Sequence, residues 1–161
     1  VSDWHPEEYQ NQMHEIYWNI FKTRPQIWCK TIWAGFDFGA DHRREGDRPG
    51  INDKGLVSRD RKVRKDAYYW YQCNWTDTPM VYITSRRFTP RKEAIADIKV
   101  YSNCSEAELW VNSVSLGKID AADHIFRWKE VNLAAGPNTI KVIGYSKASS
   151  CEDTCIWDVI P

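Results

Sequence analysis

Charge bias is absent from this sequence: 22 basic residues balance 22 acidic ones over 161 residues. That balance removes the electrostatic argument for a nucleic-acid or anionic-membrane partner. Long apolar runs are absent as well, and no stretch approaches the roughly 18 residues that would cross a bilayer as a helix. No C-x-x-C pair occurs, which argues against a zinc ribbon. The histidines, His5, His14, His42 and His124, are too scattered for a metal triad. Neither metal nor cofactor is therefore expected. Internal repeats and low-complexity tracts are also missing. The opening V-S-D-W-H-P-E-E lacks the basic start and apolar core of a signal peptide, and it lacks Met, which suits a processed or truncated product.

Aromatics, by contrast, are abundant, with nine Trp and eight Tyr. Flat rings at this density suit sugar binding and also suit a large aromatic core. The five cysteines, Cys29, Cys73, Cys104, Cys151 and Cys155, are an odd set. One disulfide is possible, the sequence does not choose the pair, and free buried thiols are the simpler reading. Asn74-Trp75-Thr76 and Asn103-Cys104-Ser105 match the glycosylation sequon, which matters only in a eukaryotic secretory route.

Spacing predicts a helix over 7–22, with Tyr9, Met13, Ile16, Tyr17, Ile20 and Phe21 on one face. Glu7 and Glu8 suit its positive end, and Thr23-Arg24-Pro25 ends it. Residues 26–33, Q-I-W-C-K-T-I-W, read as a strand covered on both sides, because their apolar positions do not alternate. A long charged loop follows, and a second helix is expected over 62–74 with Asp60 as its cap. Strand, long polar loop and helix is the βα unit of a parallel barrel, where the loop after the strand carries function. One such strand with two helices cannot cover its own faces and edges, so this half requires neighbours.

Beyond 77 the segments shorten and alternate. Strands are expected at 80–88, 96–102, 107–112, 126–133, 138–145 and 153–160, with a turn at Ala135-Gly136-Pro137-Asn138. This pattern argues for an antiparallel sandwich. Two domains result: 1–76, a βα unit of a parallel barrel, and 77–161, an antiparallel sandwich.

Several motifs in the first half occur in a fixed order. They are His5-Pro6-Glu7-Glu8-Tyr9-Gln10, His14-Glu15-Ile16-Tyr17-Trp18, Arg24-Pro25, Trp33-Ala34-Gly35-Phe36-Asp37-Phe38, and Asp41 through Val57. This series resembles the last βα unit of the catalytic barrel in family 2 glycoside hydrolases, the β-galactosidase and β-glucuronidase family. Tyr101-Ser102-Asn103, Glu108-Leu109, Asn112 and Ser115-Leu116-Gly117 resemble the immunoglobulin-like domain that follows it. Cys29-Lys30, Ala34-Gly35 and Ser113-Val114 depart from the family wording without removing a catalytic group.

The resemblance implies that 1–76 is the end of a (β/α)8 barrel and that 77–161 is an immunoglobulin-like sandwich. It also implies a C-terminal fragment of a retaining β-galactosidase, inactive alone, whose two catalytic carboxylates lie upstream of Val1. No catalytic residue is expected in this chain. It further implies that Trp33, ending the last barrel strand, walls the sugar subsite. In members that cleave glucuronides, an Asn-x-Lys in this loop binds the sugar carboxylate, which here would be Asn52 and Lys54. An ammonium with an amide donor is apt chemistry for an anion. Lys54 could instead pair with Asp53 or Asp60.

Asp37, Asp41, Glu45 and Asp47 alternate with Arg43, Arg44 and Arg48, which predicts a salt-bridged structural loop rather than a general acid. The expected partners are a carbohydrate substrate and the rest of the parent polypeptide, with no nucleic acid and no membrane. A periplasmic or extracellular site follows from the resemblance alone. Two alternatives stay open: a glucuronidase or other uronic-acid hydrolase, and a non-catalytic carbohydrate-binding module using Trp110, Trp128 and Trp157.

Overall fold

The computed structural model describes residues 5–44, 49–147 and 149–160. The chain forms two compact units, 1–71 and 72–161. It is mostly β, with two helices. In chain order the elements are α1 (Glu7–Lys22), β1 (Phe38–Gly39), β2 (Ile51–Asn52), α2 (Asp66–Trp75), β3 (Val81–Ile83), β4 (Ile95–Ser102), β5 (Glu106–Val111), β6 (Val114–Asp120), β7 (Ile125–Asn132), β8 (Gly136–Tyr145) and β9 (Ser150–Val159). No helix among the described residues is long and apolar enough to cross a membrane.

In the first unit, α1 begins after Pro6 and stops at Thr23, as the capping signals predict. Its orientation differs from expectation. The residues it buries are polar, Glu7 and Asn11, while Tyr9 and Ile16 of the apolar stripe are 59% and 60% exposed. The segment 26–33 is not a strand, and Trp28 within it is 92% exposed. A strand needs a neighbour for its ladder hydrogen bonds, and among the described residues none pairs with this one. α2 starts at Asp66, four residues later than predicted, because the preceding chain is spent on a turn. Ser58 N–H bonds Val63 O at 2.8 Å, and Lys65 N–H bonds Leu56 O at 2.8 Å. Asp60 caps that turn rather than the helix, accepting from Ser58 Oγ at 2.6 Å and Lys62 N–H at 3.1 Å. The carboxylate Oε1 of Glu7 takes the helix-capping role instead, accepting from Asp66 N–H at 2.6 Å.

The second unit holds two antiparallel sheets, ordered β3-β4-β7 and β6-β5-β8-β9. Ile83, Ile98, Val100, Phe126 and Trp128 from one sheet pack with Leu109, Val111, Ile140, Val142 and Trp157 from the other in one buried cluster. Alternation along each strand produces this sandwich: β8 reads as buried at Asn138, Ile140, Val142 and Gly144, with their neighbours outside. The strand β6 was not among the expected ones. It follows a two-residue turn in which Asn112 and Ser113 are both left-handed, with φ of 49° and 68°, the geometry that matches hairpin twist. Asn138, expected in a turn, is fully buried at the start of β8. Its amide accepts from Asn112 Nδ2 and Ala134 N–H, both at 2.8 Å, and donates to Ala134 O and Gly136 O.

Trp128 and Trp157, the platform of the alternative binding-module reading, are core residues instead, 7% and 0% exposed. Trp110 is half-buried on the other face of β5 from Leu109 and Val111. The sequon residue Asn103 is also structural: its amide accepts from Met80 N–H and donates to Thr76 O and Thr78 O, at 2.8, 2.8 and 2.9 Å.

Candidate functional site

The first unit brings Trp33, Asn52 and Lys54 onto neighbouring segments. Residues 34–37 and 54–57 run side by side in parallel. Ala34 N–H bonds Lys54 O at 3.3 Å, Leu56 N–H bonds Ala34 O at 2.9 Å, and Asp37 N–H bonds Val57 O at 2.9 Å. Only glycine fits at position 55. A Cβ there would stand 2.1 Å from Asp37 N and 2.2 Å from Phe36 C. The close approach of the two segments therefore depends on that residue's bare backbone.

Each predicted site residue has a distinct setting. Trp33 is 70% exposed and meets the Phe38 ring edge-on, with centroids 5.8 Å apart. Phe38 in turn lines an open depression with Asp41, His42 and Arg59. Asn52 is 1% exposed, and its side-chain oxygen accepts from Lys54 N–H at 3.1 Å. It shapes the turn rather than facing solvent. Lys54 is half-buried at the head of the parallel segment. Of the acidic groups considered as its partners, Asp53 meets His5 Nδ1 at 3.0 Å, and Asp60 accepts from Ser58 and Lys62.

The loop acids divide. Asp37 is buried and pairs with Lys65: Nζ lies 2.8 Å from Oδ1, which also accepts from Gly55 N–H at 2.8 Å. Lys65 Nζ donates further to Asp53 O at 2.5 Å. With an ammonium and a backbone N–H both committed to it, this carboxylate has a structural role. Asp41 is fully exposed beside His42, 3.6 Å away. Glu45, Asp47 and Arg48 lie outside the described residues.

Sequence reasoning did not single out the residues that brace this loop. Gln10 on α1 donates from Nε2 to Lys54 O and Gly55 O, both at 3.1 Å. Asn11 donates to Asp66 Oδ2 at 3.0 Å. Glu7 and Gln10 lie within the motif His5–Gln10, and their polarity on the inward side of a helix was the available signal. His14 stacks edge-on against Tyr71 with its Nδ1 2.9 Å from the hydroxyl, and its carbonyl accepts from Trp70 Nε1 at 3.2 Å.

Burial lowers the His14 pKa from 6.5 to about 4, and the nearby Lys65 charge adds to this. Burial also raises Tyr71 to about 12. His14 is therefore a neutral packing group near pH 7. The unfolded chain takes up a proton at His14 below its ordinary value of 6.5, while the folded chain refuses it until about 4. Stability is thus lost as pH falls across that window and is untouched above it. The expected result is a smaller drop in melting temperature between pH 7 and pH 5 for His14→Gln than for the parent chain. Identical drops would show that His14 does not titrate across folding.

A family profile described as "Domain of unknown function (DUF4982)" matches residues 93–150. A β-glucuronidase of Bacteroides fragilis is 48% identical over 141 residues, covering 86% of this chain and 20% of that protein. The chain thus spans about a fifth of the length of the curated relatives it matches. Among solved structures, a candidate β-galactosidase from Bacteroides fragilis superposes with a TM-score of 0.88 at 33% identity, over 97% of this chain and 24% of that one. A β-glucuronidase from Bacteroides uniformis superposes with a TM-score of 0.85 at 30% identity, over 99% of this chain and 20% of that one.

Proposed function

This chain belongs to family 2 of the glycoside hydrolases, and we propose that it is the C-terminal part of a retaining enzyme acting on β-glucuronides. In this reading residues 1–76 complete a catalytic barrel and residues 77–161 form an immunoglobulin-like scaffold. The two carboxylates of the double displacement, roughly 5–5.5 Å apart in retaining enzymes, come from the rest of the polypeptide. That polypeptide is also the partner the first unit requires. The exposed stripe Tyr9, Met13, Ile16 and Tyr17 on α1 supports this, as does the segment 26–33, with which no strand among the described residues pairs.

The observation that carries the substrate class is the turn at Asn52–Lys54, hydrogen-bonded to the residue after Trp33. Lys54 would meet the sugar carboxylate with its ammonium, Asn52 would hold the turn that aims it, and Trp33 would wall the apolar face of the ring. A charge-assisted contact of this kind contributes about 1.5–3 kcal/mol. The 48% identical relative, itself a β-glucuronidase, points the same way. Likeness to the candidate β-galactosidase favours a second reading, hydrolysis of β-galactosides. The buried Trp128 and Trp157 speak against a binding module built on those rings.

Lys54→Ala in the intact parent enzyme separates the two substrates. On the first reading kcat/KM falls roughly tenfold to a hundredfold on a glucuronide and little on a galactoside. Equal losses on both would end the uronate assignment.

A further inference from the structure

Five cysteines leave the sequence undecided between one disulfide and free thiols, and the fold of the second unit brings two of them together. Cys104 sits in the turn joining β4 of one sheet to β5 of the other, and Cys151 is the second residue of β9. Their sulfurs lie 3.5 Å apart across 47 positions of sequence. The residue between them is Gly144 on β8, directly opposite Cys151 in the ladder. A Cβ built on Gly144 would stand 2.8 Å from the Cys104 sulfur and 3.4 Å from the Cys151 sulfur. The bare α carbon of Gly144 is thus the space in which the two thiols meet, above a strand that separates their own segments.

We propose that Cys104 and Cys151 form a reversible dithiol–disulfide pair that ties the β4–β5 turn to β9 across Gly144. The sulfurs must close by about 1.5 Å to reach the ~2.05 Å of a disulfide. Cys151 is partly exposed and Cys104 buried, so Cys151 is the point of entry. Burial, with a further contribution from the contact with Cys104, pushes the Cys151 thiol up to about 12, which slows its attack on an oxidant. The oxidant class is a small-molecule disulfide. The Cys151 thiolate, its proton lost to solvent, attacks one sulfur of that disulfide, and a thiolate leaves. The Cys104 thiolate then attacks the Cys151 sulfur and expels the second thiolate. Two protein thiols lose two electrons and two protons, and the oxidant becomes two thiols.

The closed loop is long, so the bond should restrict the unfolded chain substantially. The test treats the full chain with oxidised glutathione, blocks remaining thiols, and maps peptides without reduction. The expected result is one linked peptide pair, Cys104 with Cys151. The melting temperature should then stand about 10 °C above that of the dithiothreitol-treated chain. Cys151→Ser should lose both the link and the shift, while Cys155→Ser keeps them. Blocked thiols at both Cys104 and Cys151 after oxidation, a glutathione retained on Cys151, or a link to another cysteine would each overturn the proposal. The map is made on the unaltered chain, so it stands even if a variant fails to fold.

Discussion

Lys65→Ala is expected to destabilise the first unit by about 3–5 kcal/mol, the range for breaking a buried ion pair by removing one partner. Lys65 is 7% exposed and Asp37 8%. Without the ammonium, Asp37 keeps, among the described residues, the neutral donor Gly55 N–H at 2.8 Å against a buried carboxylate. The Asp53 carbonyl also loses its 2.5 Å bond from Nζ. The damage should not stay local. Asp37 belongs to the segment that runs beside 54–57, and Gly55 touches it at backbone distance. The turn bearing Asn52 and Lys54 should therefore loosen with it.

Urea unfolding of Lys65→Ala, Asp37→Asn and the double variant forms the appropriate cycle. The double variant should cost clearly less than the sum of the single ones, because neutral Asn no longer requires a counter-charge. Additive costs would show that the pair contributes by packing alone.

How far this arrangement could be read from sequence depends on what each signal reports. The stripe Tyr9, Met13, Ile16 and Tyr17 marks α1 as a helix, and the helix is there. Periodicity shows that a face is suited to cover; it does not name the cover. Within this chain the inward face is the polar one, Glu7, Gln10, Asn11 and His14, each tied to the loop or to α2. Residues 26–33 carry strand composition, but strand formation is a property of pairs. The sandwich strands were more legible because alternation and its partner strands lie in the same chain. Only β6 escaped: the alternation of Val114 and Leu116 is not continued at Ile119, and its residues are almost all exposed.

Parity also decides the fate of the tryptophans. Cys155, Trp157 and Val159 share one face of β9, and Val159 belongs to the core, which carries Trp157 inward. In the site, Trp33, Asn52 and Lys54 stood out through resemblance. Lys65 did not, because nothing local links a lysine at the head of α2 to a carboxylate 28 positions earlier.

The inward turn of Trp157 supplies the strongest test of the sandwich. Trp157→Ala is expected to cost about 3–5 kcal/mol, the range for truncating a buried aromatic. The ring is fully buried in the cluster shared by both sheets. It also carries a cation: the Arg91 guanidinium lies 3.5 Å from its centroid, and Arg91 is itself only 7% exposed. A desolvated cation–π contact can contribute about 2 kcal/mol, so truncation removes both the packing and the surface on which a buried charge rests. Arg91 is fixed from its backbone side as well, with N–H to Asp158 O at 2.7 Å and its carbonyl accepting from Ile160 N–H at 2.9 Å. The guanidinium therefore cannot follow a collapsing core without pulling on β9.

Trp157→Phe keeps an aromatic face and should recover most of the loss, whereas Trp157→Leu fills volume without a π face and should recover less. Thermal melts of the three variants in the full chain order these contributions. If Leu and Phe prove equal, hydrophobic volume alone accounts for Trp157 and the Arg91 contact adds nothing measurable.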